Sequence, residues 1–529
     1  MNRTSRTPTT TGKENTVFAI TVAVLIVLAL ISVTTSFFRH FTPDNSIYLL
    51  HTRTFLETLN RFTYSFDSKG IMIVWFYAPA VLLLGPTLAA AALSQLVFYL
   101  IGFFFLYRII RSFLDAKTAV IVGLLWIFVS YSPNLWGGNA RPENFCSVLV
   151  ILALYAVLRN ERKWFIIAGA ATALCLFTKT TLALTPAVLS LVGAVLAFPA
   201  RNRASVNPLS PGAIRNLVAV AAGFFLIAGV HFGWIFAFDD PARWMYQTLI
   251  WPMQMASTTS SPWNLLAVFY HTGLYLLFAG SITGMLLAWK KGPRRFIMFC
   301  ALIIITETVR VLFEGTSWNY LLLVMAMPLL AGASLLRFSS FRFLKRVPGW
   351  TFPILFLAPV FWTGVPSTGK AFFTRVIHHY PSPFEELASR MDSLYKQGES
   401  IYVEYNDYQL ILMFDAPRPY PVLPLHFRYV SATEQDAIRG YYKSHPPRWV
   451  VTRDPGHSAV SYRTEGEVDG AYHLYFPGVQ ADKAPADSVY VLGDVTRGNI
   501  LNPALSSELE YKLTIDIGYA QAWRLCAGR

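Results

Sequence analysis

Long apolar segments recur along the chain up to residue 366, separated by short polar connections. The first, residues 17–38, is long enough to cross a hydrocarbon core of about 30 Å. Further segments of this kind cover residues 86–107, 119–136, 145–158, 164–177, 182–198, 217–238, 265–289, 296–313, 320–336 and 350–364. The pattern predicts about eleven membrane-crossing helices. The shorter segment 71–84 contains Pro79 and is interpreted as an interfacial helix that leads back to the membrane.

The polar connections alternate in charge along the chain. Every second connection is rich in Lys and Arg, at residues 108–117, 159–163, 201–215, 290–295 and 337–346. Because basic connections stay on the cytoplasmic side, residues 1–15 are predicted to be a cytoplasmic tail and residues 39–85 the first outward loop. An odd number of crossings then places the chain after residue 366 outside as well.

The sequence changes character after the last apolar segment. In residues 367–529, helix-like and strand-like patterns alternate, as in SPFEELASRMDSLYKQ, SIYVEY and RWVVTRD. The apolar runs in YKLTIDIG and QAWRLC are too short to cross a membrane and are predicted to be strands. We therefore predict a polytopic α-helical membrane protein with a C-terminal extracytoplasmic α/β domain.

Composition agrees with this class, since 54% of the residues are hydrophobic, only 14% are charged and the mean hydropathy is +0.42. A soluble protein of this length could not bury so much apolar surface. The net charge is +14, but the basic residues are interspersed between apolar runs, so no nucleic acid partner is predicted. The four cysteines, Cys146, Cys175, Cys300 and Cys526, have the spacing of neither a zinc site nor a disulfide framework.

A motif that resembles a phosphate-binding loop and a histidine pair give no support for a cofactor. Residues 364–370, GVPSTGK, have the glycine and lysine spacing of such a loop. Ala371 stands where the loop needs Ser or Thr for magnesium, and the motif follows an apolar segment instead of a strand. His378 and His379 have no partner at metal-ligand spacing, and no HExxH motif occurs. No nucleotide, metal or other cofactor is predicted.

Polar residues at the outer ends of the apolar segments are the candidate site. Each is costly to hold near lipid unless it is paired, solvated or functional. Carboxylates, cations and aromatic rings on one membrane face suit a phosphate-linked amphipathic substrate. The candidates on this face are Asp44, Asp67, Lys69, Arg141, Glu143, Lys179, Asp239, Asp240 and Glu314.

Some of these charged residues have a structural alternative. Asp239 and Asp240 precede a proline, and a helix cap is the favoured interpretation. Glu307 and Arg310, three residues apart in one apolar segment, are interpreted as a structural ion pair. Lys179 either binds substrate or extends its ammonium group toward lipid phosphates.

The order of these features resembles the polytopic glycosyltransferases of the GT-C fold, in particular the protein O-mannosyltransferases and the lipid A aminoarabinose transferase. Those enzymes have an acidic residue in the first outward loop, where PDNSIYLLHTRTFLE places Asp44. FTYSFDSKGIMIVWFY is similar to their next motif, with Asp67 and Lys69 matched and Gly70 and Ile71 in place of two prolines.

Later features carry the same resemblance. Glu143 in RPENF stands in the family's second acidic position, beside Arg141. Tyr320 lies in GTSWNYLLLVMAMPLL, which resembles the family's late aromatic segment. The resemblance extends over about the first 340 residues. It implies that residues 16–366 form a GT-C-like transmembrane catalytic domain.

The resemblance implies transfer of a sugar from a polyprenyl-phosphate donor to an envelope glycan, lipid or protein acceptor. The reaction would take place at the outer face of the cytoplasmic (inner) membrane, with a periplasmic C-terminal domain and inversion at the anomeric carbon. Asp44 would take the proton of the acceptor hydroxyl, and Glu143 would assist as an acid/base group or orient the acceptor. Lys69, with Arg141 or Lys179, would stabilise the phosphate leaving group.

Two other classes of function fit parts of the pattern. A transporter or flippase of lipid-linked saccharides also has many helices, but such proteins carry repeats and broken helices near the membrane midplane. Here the polar residues lie toward one face. A non-catalytic scaffold of envelope assembly would use the outer domain as a binding module and would tolerate Asp44→Asn.

Overall fold

In the computed structural model the chain is mainly helical. The structure describes residues 12–38, 42–63, 69–196, 211–250, 262–314, 319–381, 383–403, 408–417, 441, 444–445, 448–453, 511–516 and 520–525. The helices before the C-terminal region are α1 (Gly12–Phe37), α2 (Pro43–Thr58), α3 (Met72–Leu84), α4 (Leu88–Phe113), α5 (Ala116–Tyr131), α6 (Pro142–Arg159), α7 (Arg162–Leu176), α8 (Leu184–Val195), α9 (Pro211–Phe238), α10 (Pro241–Met245), α11 (Pro262–His271), α12 (Tyr275–Ala288), α13 (Arg294–Glu314), α14 (Ala326–Ser334), α15 (Arg342–Arg346), α16 (Thr351–Phe356) and α17 (Ala358–Phe372).

Several of these helices have the length and composition of membrane spans. In the described part of the chain, five are long and apolar enough to cross a bilayer, namely α1, α4, α6, α9 and α13. Shorter apolar helices include α3, α5 and α12. These helices agree with the predicted helical membrane class, whereas the count of about eleven crossings remains a prediction, as does the interfacial position of residues 71–84.

Two predicted crossings are interrupted in the structure. Residues 265–289 form α11 and α12, and Gly273 between them has a positive φ of 73°. A Cβ atom at Gly273 would lie 3.1 Å from backbone atoms of Pro359 and Val360, so the break lies where α17 packs closely. Residues 320–336 begin with a 3-10 turn, Asn319–Leu322, that precedes α14. His271 and Thr272 stand beside the first break, but each segment remains apolar enough overall to be predicted as one crossing.

Helices α7 and α9 approach each other closely through glycines. A Cβ atom on Gly169 would overlap the carbonyl oxygen of Val220, and one on Gly223 would overlap the carbonyl oxygen of Ile166. Small residues allow helix backbones to approach in this way inside membranes. The turn at residues 177–179 follows directly after the end of α7.

Helices α2 and α3 carry part of the first predicted outward loop. The Thr42 side chain caps α2 by accepting a hydrogen bond from the Asn45 N–H at 3.3 Å. Asp44 lies in the first turn, where a carboxylate interacts favourably with the helix dipole. On α3, the Tyr77 hydroxyl donates a hydrogen bond to the carbonyl of Ala140 at 2.6 Å. Helix α3 therefore connects this region to the loop before α6.

The C-terminal region contains a four-stranded sheet in the order β1-β2-β4-β3. The strands are β1 (Ile401–Val403), β2 (Trp449–Arg453), β3 (Tyr511–Asp516) and β4 (Ala520–Leu525), accompanied by α18 (Pro383–Asp392) and α19 (Gln409–Met413). Strand β1 pairs parallel to β2, and β4 pairs antiparallel to both β2 and β3. The strands lie in the segments predicted to be strands. The predicted boundary between residues 366 and 367 lies within α17.

Candidate functional site

The loop between α5 and α6 shapes the N-terminus of α6. Trp136 and Ala140 have positive φ angles of 51° and 46°, which residues other than glycine rarely adopt. The side-chain oxygen of Asn144 accepts a hydrogen bond from the Arg141 N–H at 2.8 Å. Arg141 is thereby the N-cap residue of α6, and Glu143 lies in the first turn. Unusual backbone conformations of this kind concentrate at functional sites.

Asp44 and Arg141 form an ion pair that joins the N-terminal ends of α2 and α6. The distance from Asp44 Oδ2 to Arg141 Nη2 is 2.8 Å, and the Arg141 side chain is only 5% exposed. The guanidinium carbon lies 4.8 Å from the ring centre of Trp136 and 4.3 Å from that of Tyr320. The Asp44 side chain remains 31% exposed. A partly accessible carboxylate is therefore held in a fixed orientation by a buried cation.

Lys179 is the centre of a second group of charges, in the turn that follows α7. Its ammonium nitrogen lies 2.9 Å from the Glu143 carboxylate and 2.9 Å from the Glu314 carboxylate. Burial disfavours the charged ammonium, but the two carboxylates outweigh this effect and raise the pKa of Lys179 above its ordinary value. Lys179 therefore stays protonated at neutral pH and connects α6 to α13. Neither alternative that the sequence left open, substrate binding or extension toward lipid phosphates, included these two carboxylate partners.

Helix α13 extends this group of charges. Arg310 pairs with Glu314 at 2.7 Å and with Glu307 at 2.7 Å. The Thr181 hydroxyl donates a hydrogen bond to Glu314 at 2.5 Å. The predicted pair of Glu307 and Arg310 is confirmed, but it is not isolated, because Glu314 joins it to the ammonium group of Lys179.

The sequence alone did not connect Arg310 or Thr181 with the candidate site. A signal exists for Arg310, because positions 307, 310 and 314 share one face of a helix. Arg310 therefore lies in line with Glu314, the residue that follows the apolar segment 296–313. Thr181 has no such signal, since it lies in a turn whose position depends on the packing of α7.

Lys69 and Gly70 lie beside the turn that carries Lys179. The Gly70 N–H donates a hydrogen bond to the carbonyl of Thr178 at 2.9 Å. A Cβ atom at Gly70 would overlap the carbonyl oxygen of Phe177, and a proline would also lack the N–H. This close backbone approach explains a glycine where the family pattern has a proline. It also holds the half-buried Lys69 next to the turn.

Asp239 and Asp240 both accept hydrogen bonds from backbone N–H groups, and the sequence favoured a structural role of this kind over a role in the site. Asp239 accepts hydrogen bonds from the backbone N–H groups of residues 61–63 at 2.7 to 3.0 Å. Asp240 accepts from the N–H groups of residues 242–243 at 2.9 and 3.1 Å, so the predicted helix cap is confirmed for Asp240. Both carboxylates therefore accept hydrogen bonds that fix the local backbone. Asp67 lies outside the described residues.

The segment that resembles a phosphate-binding loop is helical. Residues 364–370 lie within α17, so their backbone N–H groups do not form a phosphate cradle. Across the described ranges, no group of three or more His, Cys, Asp or Glu side chains is placed to hold a metal ion.

Comparisons with known proteins agree on the fold. Residues 68–234 match the family described as dolichyl-phosphate-mannose-protein mannosyltransferase. The crystal structure of ArnT from Cupriavidus metallidurans bound to undecaprenyl phosphate matches with a TM-score of 0.59 and 14% identity, over 96% of this chain and 98% of that chain. The same protein in the apo state matches with a TM-score of 0.53 and 13% identity, over 97% and 98%. No curated protein sequence gives a significant match.

The structural likeness covers more of the chain than the sequence resemblance does. It covers 96% of this chain, whereas the family match covers residues 68–234, and at these identities it shows a shared fold. The family match lies in the part of the chain that carries Lys69, Arg141, Glu143 and Lys179. The chain is a polytopic helical membrane protein with the GT-C fold, and its predicted resemblance to the protein mannosyltransferase and ArnT superfamily is confirmed.

Proposed function

We propose that the protein is a membrane glycosyltransferase that moves a sugar from a polyprenyl-phosphate-linked donor to an acceptor on the outer face of the cytoplasmic membrane. The match of residues 68–234 to the mannosyltransferase family supports the reaction class. A structural relative that was crystallised with undecaprenyl phosphate supports a lipid-linked donor. The observation that carries the proposal is the pairing of the accessible Asp44 carboxylate with the buried Arg141 guanidinium.

Asp44 acts as the general base in this proposal. The acceptor hydroxyl oxygen bonds to the anomeric carbon, the bond from that carbon to the phosphate oxygen breaks, and the hydroxyl proton moves to the Asp44 carboxylate. Attack from the face opposite the phosphate inverts the anomeric configuration. Because Arg141 holds Oδ2 of Asp44, the proton is assigned to Oδ1.

Arg141 and Lys69 neutralise the phosphate leaving group in this proposal. A guanidinium has five N–H donors, so Arg141 can hold Asp44 and a phosphate oxygen at the same time. The rings of Trp136 and Tyr320 fix its plane. Lys69 supplies a second positive charge beside the turn at residues 177–179. Placing cations where charge develops on the leaving group stabilises the transition state.

In this proposal Lys179 has a different role from the phosphate contact that the resemblance implies. Its ammonium is already shared by Glu143 and Glu314, so we assign it to holding Glu143 instead of binding phosphate. Glu143, 3% exposed at the N-terminus of α6, then orients the acceptor or the sugar. In this arrangement the N-terminal tail is cytoplasmic and residues 367–529 form the periplasmic domain.

Transfer of labelled sugar from polyprenyl-phosphate donors, measured in membranes that contain the protein, tests the proposal. Wild type should transfer the label, and Asp44→Asn and Lys69→Ala should each lose most of the transfer at equal protein level. Asp392→Asn and Lys396→Ala, at exposed positions of the C-terminal region, are the matched controls and should transfer like wild type. Full transfer by Asp44→Asn would remove the proposed base. No transfer by wild type with any donor would favour a transporter or a scaffold.

A further inference from the structure

We propose that Glu314 and Arg310 of α13 are positioning residues for sugar transfer: they fix the ammonium group of Lys179, which in turn orients Glu143. The inference rests on the proposed function of the Asp44 and Arg141 site and extends it along α13 to Arg310, which the sequence alone did not connect with the site. It is carried by the geometry of the buried charges between α6 and α13.

The first observation is that opposite charges alternate without a gap. Glu143 contacts Lys179, Lys179 contacts Glu314, Glu314 contacts Arg310, and Arg310 contacts Glu307, at distances of 2.9, 2.9, 2.7 and 2.7 Å. The Arg310 side chain is 1% exposed, so this series of ion pairs ends inside the helical part of the molecule.

The second observation is that further hydrogen bonds hold the charged residues of α13 in place. Three side chains on one face of α13 take part, and the Thr181 and Thr185 hydroxyls bond to Glu314 and Glu307 from the neighbouring turn and from α8. The Arg310 guanidinium contacts Glu307 through both Nε and Nη2. Planar guanidinium contacts of this kind lose little freedom when they form.

Energetics favour a positioning role over a stabilising one. Buried ion pairs contribute little stability compared with apolar side chains of similar size, because removing the charges from water is costly. A lysine side chain, in contrast, is long and flexible, and one contact with Glu143 would not fix it. The second carboxylate, Glu314, gives the Lys179 ammonium a defined position between two helices.

The test compares Glu314→Gln, which removes the charge and keeps the shape, with Glu314→Asp, which keeps the charge. Glu314→Gln should lower kcat by about 10- to 100-fold with little change in the donor KM, since displacement of a reacting group by about 1 Å costs up to about 100-fold. Glu314→Asp should recover most of the activity. Glu161→Gln, at an exposed carboxylate paired with Arg159, is the control and should have wild-type kcat.

A double variant separates positioning from folding. Lys179→Met with Glu314→Gln removes one charge of each sign, and it should have the kcat of Lys179→Met alone because both residues act through the same contact. A further tenfold loss in the double variant would contradict the inference. This comparison also serves if Glu314→Gln alone does not accumulate in the membrane.

The outcomes distinguish this inference from the proposed function. If wild type transfers sugar, Asp44→Asn does not, and Glu314→Gln is as active as Glu161→Gln, the positioning role is wrong and the proposed function stands. If Glu314→Gln raises the donor KM and leaves kcat unchanged, Glu314 acts in donor binding and the inference is also wrong. If wild type transfers no sugar, both are wrong.

Discussion

At the scale of single residues, the environment of Arg141 explains why an arginine stands at this position. Its guanidinium lies against Trp136 and Tyr320 and pairs with Asp44. A planar, delocalised cation can contact two rings and a carboxylate together, whereas an ammonium group is a compact charge without a plane. The orientation of the proposed base therefore depends on the shape of the arginine as well as on its charge.

Arg141→Lys tests this dependence. Loss of the desolvated ring contacts and of the fixed ion pair should lower kcat/KM about tenfold or more, because a desolvated cation–π contact contributes up to about 2 kcal/mol. Arg53→Lys, on α2 but paired with Glu57, is the matched control and should retain wild-type kcat/KM. Equal activity of Arg141→Lys and wild type would show that only the charge matters. Steady-state transfer kinetics make the comparison.

The sequence identifies several residues of the candidate site but not their partners. Asp44, Glu143 and Lys179 stand out because charged residues at the ends of apolar segments are costly unless they have a role. The contact of Asp44 with Arg141 joins two helices that are far apart in the sequence, so only the tertiary structure defines it. For Asp240 the proline that follows was the better guide, since a helix cap needs only local sequence.

At the scale of secondary structure elements, α7 packs closely against α9 and leads directly into the turn that carries Lys179. The contact requires glycine at positions 169 and 223, because larger residues would push the two backbones apart. Apolar periodicity predicts both helices, but it does not indicate which glycine lies against a neighbour. A Cβ atom at Gly229, on the same helix as Gly223, would have no neighbouring atom within 4 Å.

Gly223→Ala and Gly229→Ala form a matched pair on one helix. Gly223→Ala should destabilise the protein by about 1 to 3 kcal/mol through overpacking against Ile166, and it should also lower transfer because the turn moves. Gly229→Ala should leave stability unchanged or raise it by up to about 1 kcal/mol, since alanine favours a helix. Thermal unfolding of the purified protein in detergent measures both variants. The same loss of stability in both would contradict the close contact of α7 and α9.

At the scale of the whole molecule, the C-terminal region packs on the helix that carries the proposed base. Leu410 belongs to the same apolar cluster as Leu49 of α2 and Tyr77 of α3. At the edge of this contact, Arg53 of α2 pairs with Asp415 at 3.0 Å, but the Asp415 side chain is 77% exposed. We therefore expect the apolar contact to contribute more to the free energy of unfolding than the ion pair does.

Two substitutions separate these contributions. Leu410→Ala should cost about 2 to 5 kcal/mol, because it leaves a cavity in a buried cluster. Asp415→Ala should cost less than about 1 kcal/mol, because an exposed ion pair is screened by water. Unfolding by denaturant in detergent gives both values. A larger effect of Asp415→Ala than of Leu410→Ala would show that the charges, not the apolar cluster, hold the C-terminal region against α2.

Composition and the alternation of basic connections were enough to predict a helical membrane protein, because both follow from the solvent that the helices face. They did not predict where helices break. Gly273 and the 3-10 turn at Asn319–Leu322 interrupt segments that are apolar overall, and at Gly273 the backbone lies against α17. Hydropathy alone therefore does not predict the backbone break beside α17 or the turn that carries Tyr320.

In the proposed reaction, Asp44 is the base of a sugar transfer from a lipid-linked phosphate. The most direct measurement is single-turnover transfer by purified wild type and Asp44→Asn at saturating donor, with binding of undecaprenyl phosphate measured on the same preparations. If Asp44 is the base, the two proteins should bind equally and the rate of transfer by Asp44→Asn should be reduced by about 100- to 10,000-fold, the usual contribution of a general base. Equal binding with an unchanged rate of transfer would contradict it.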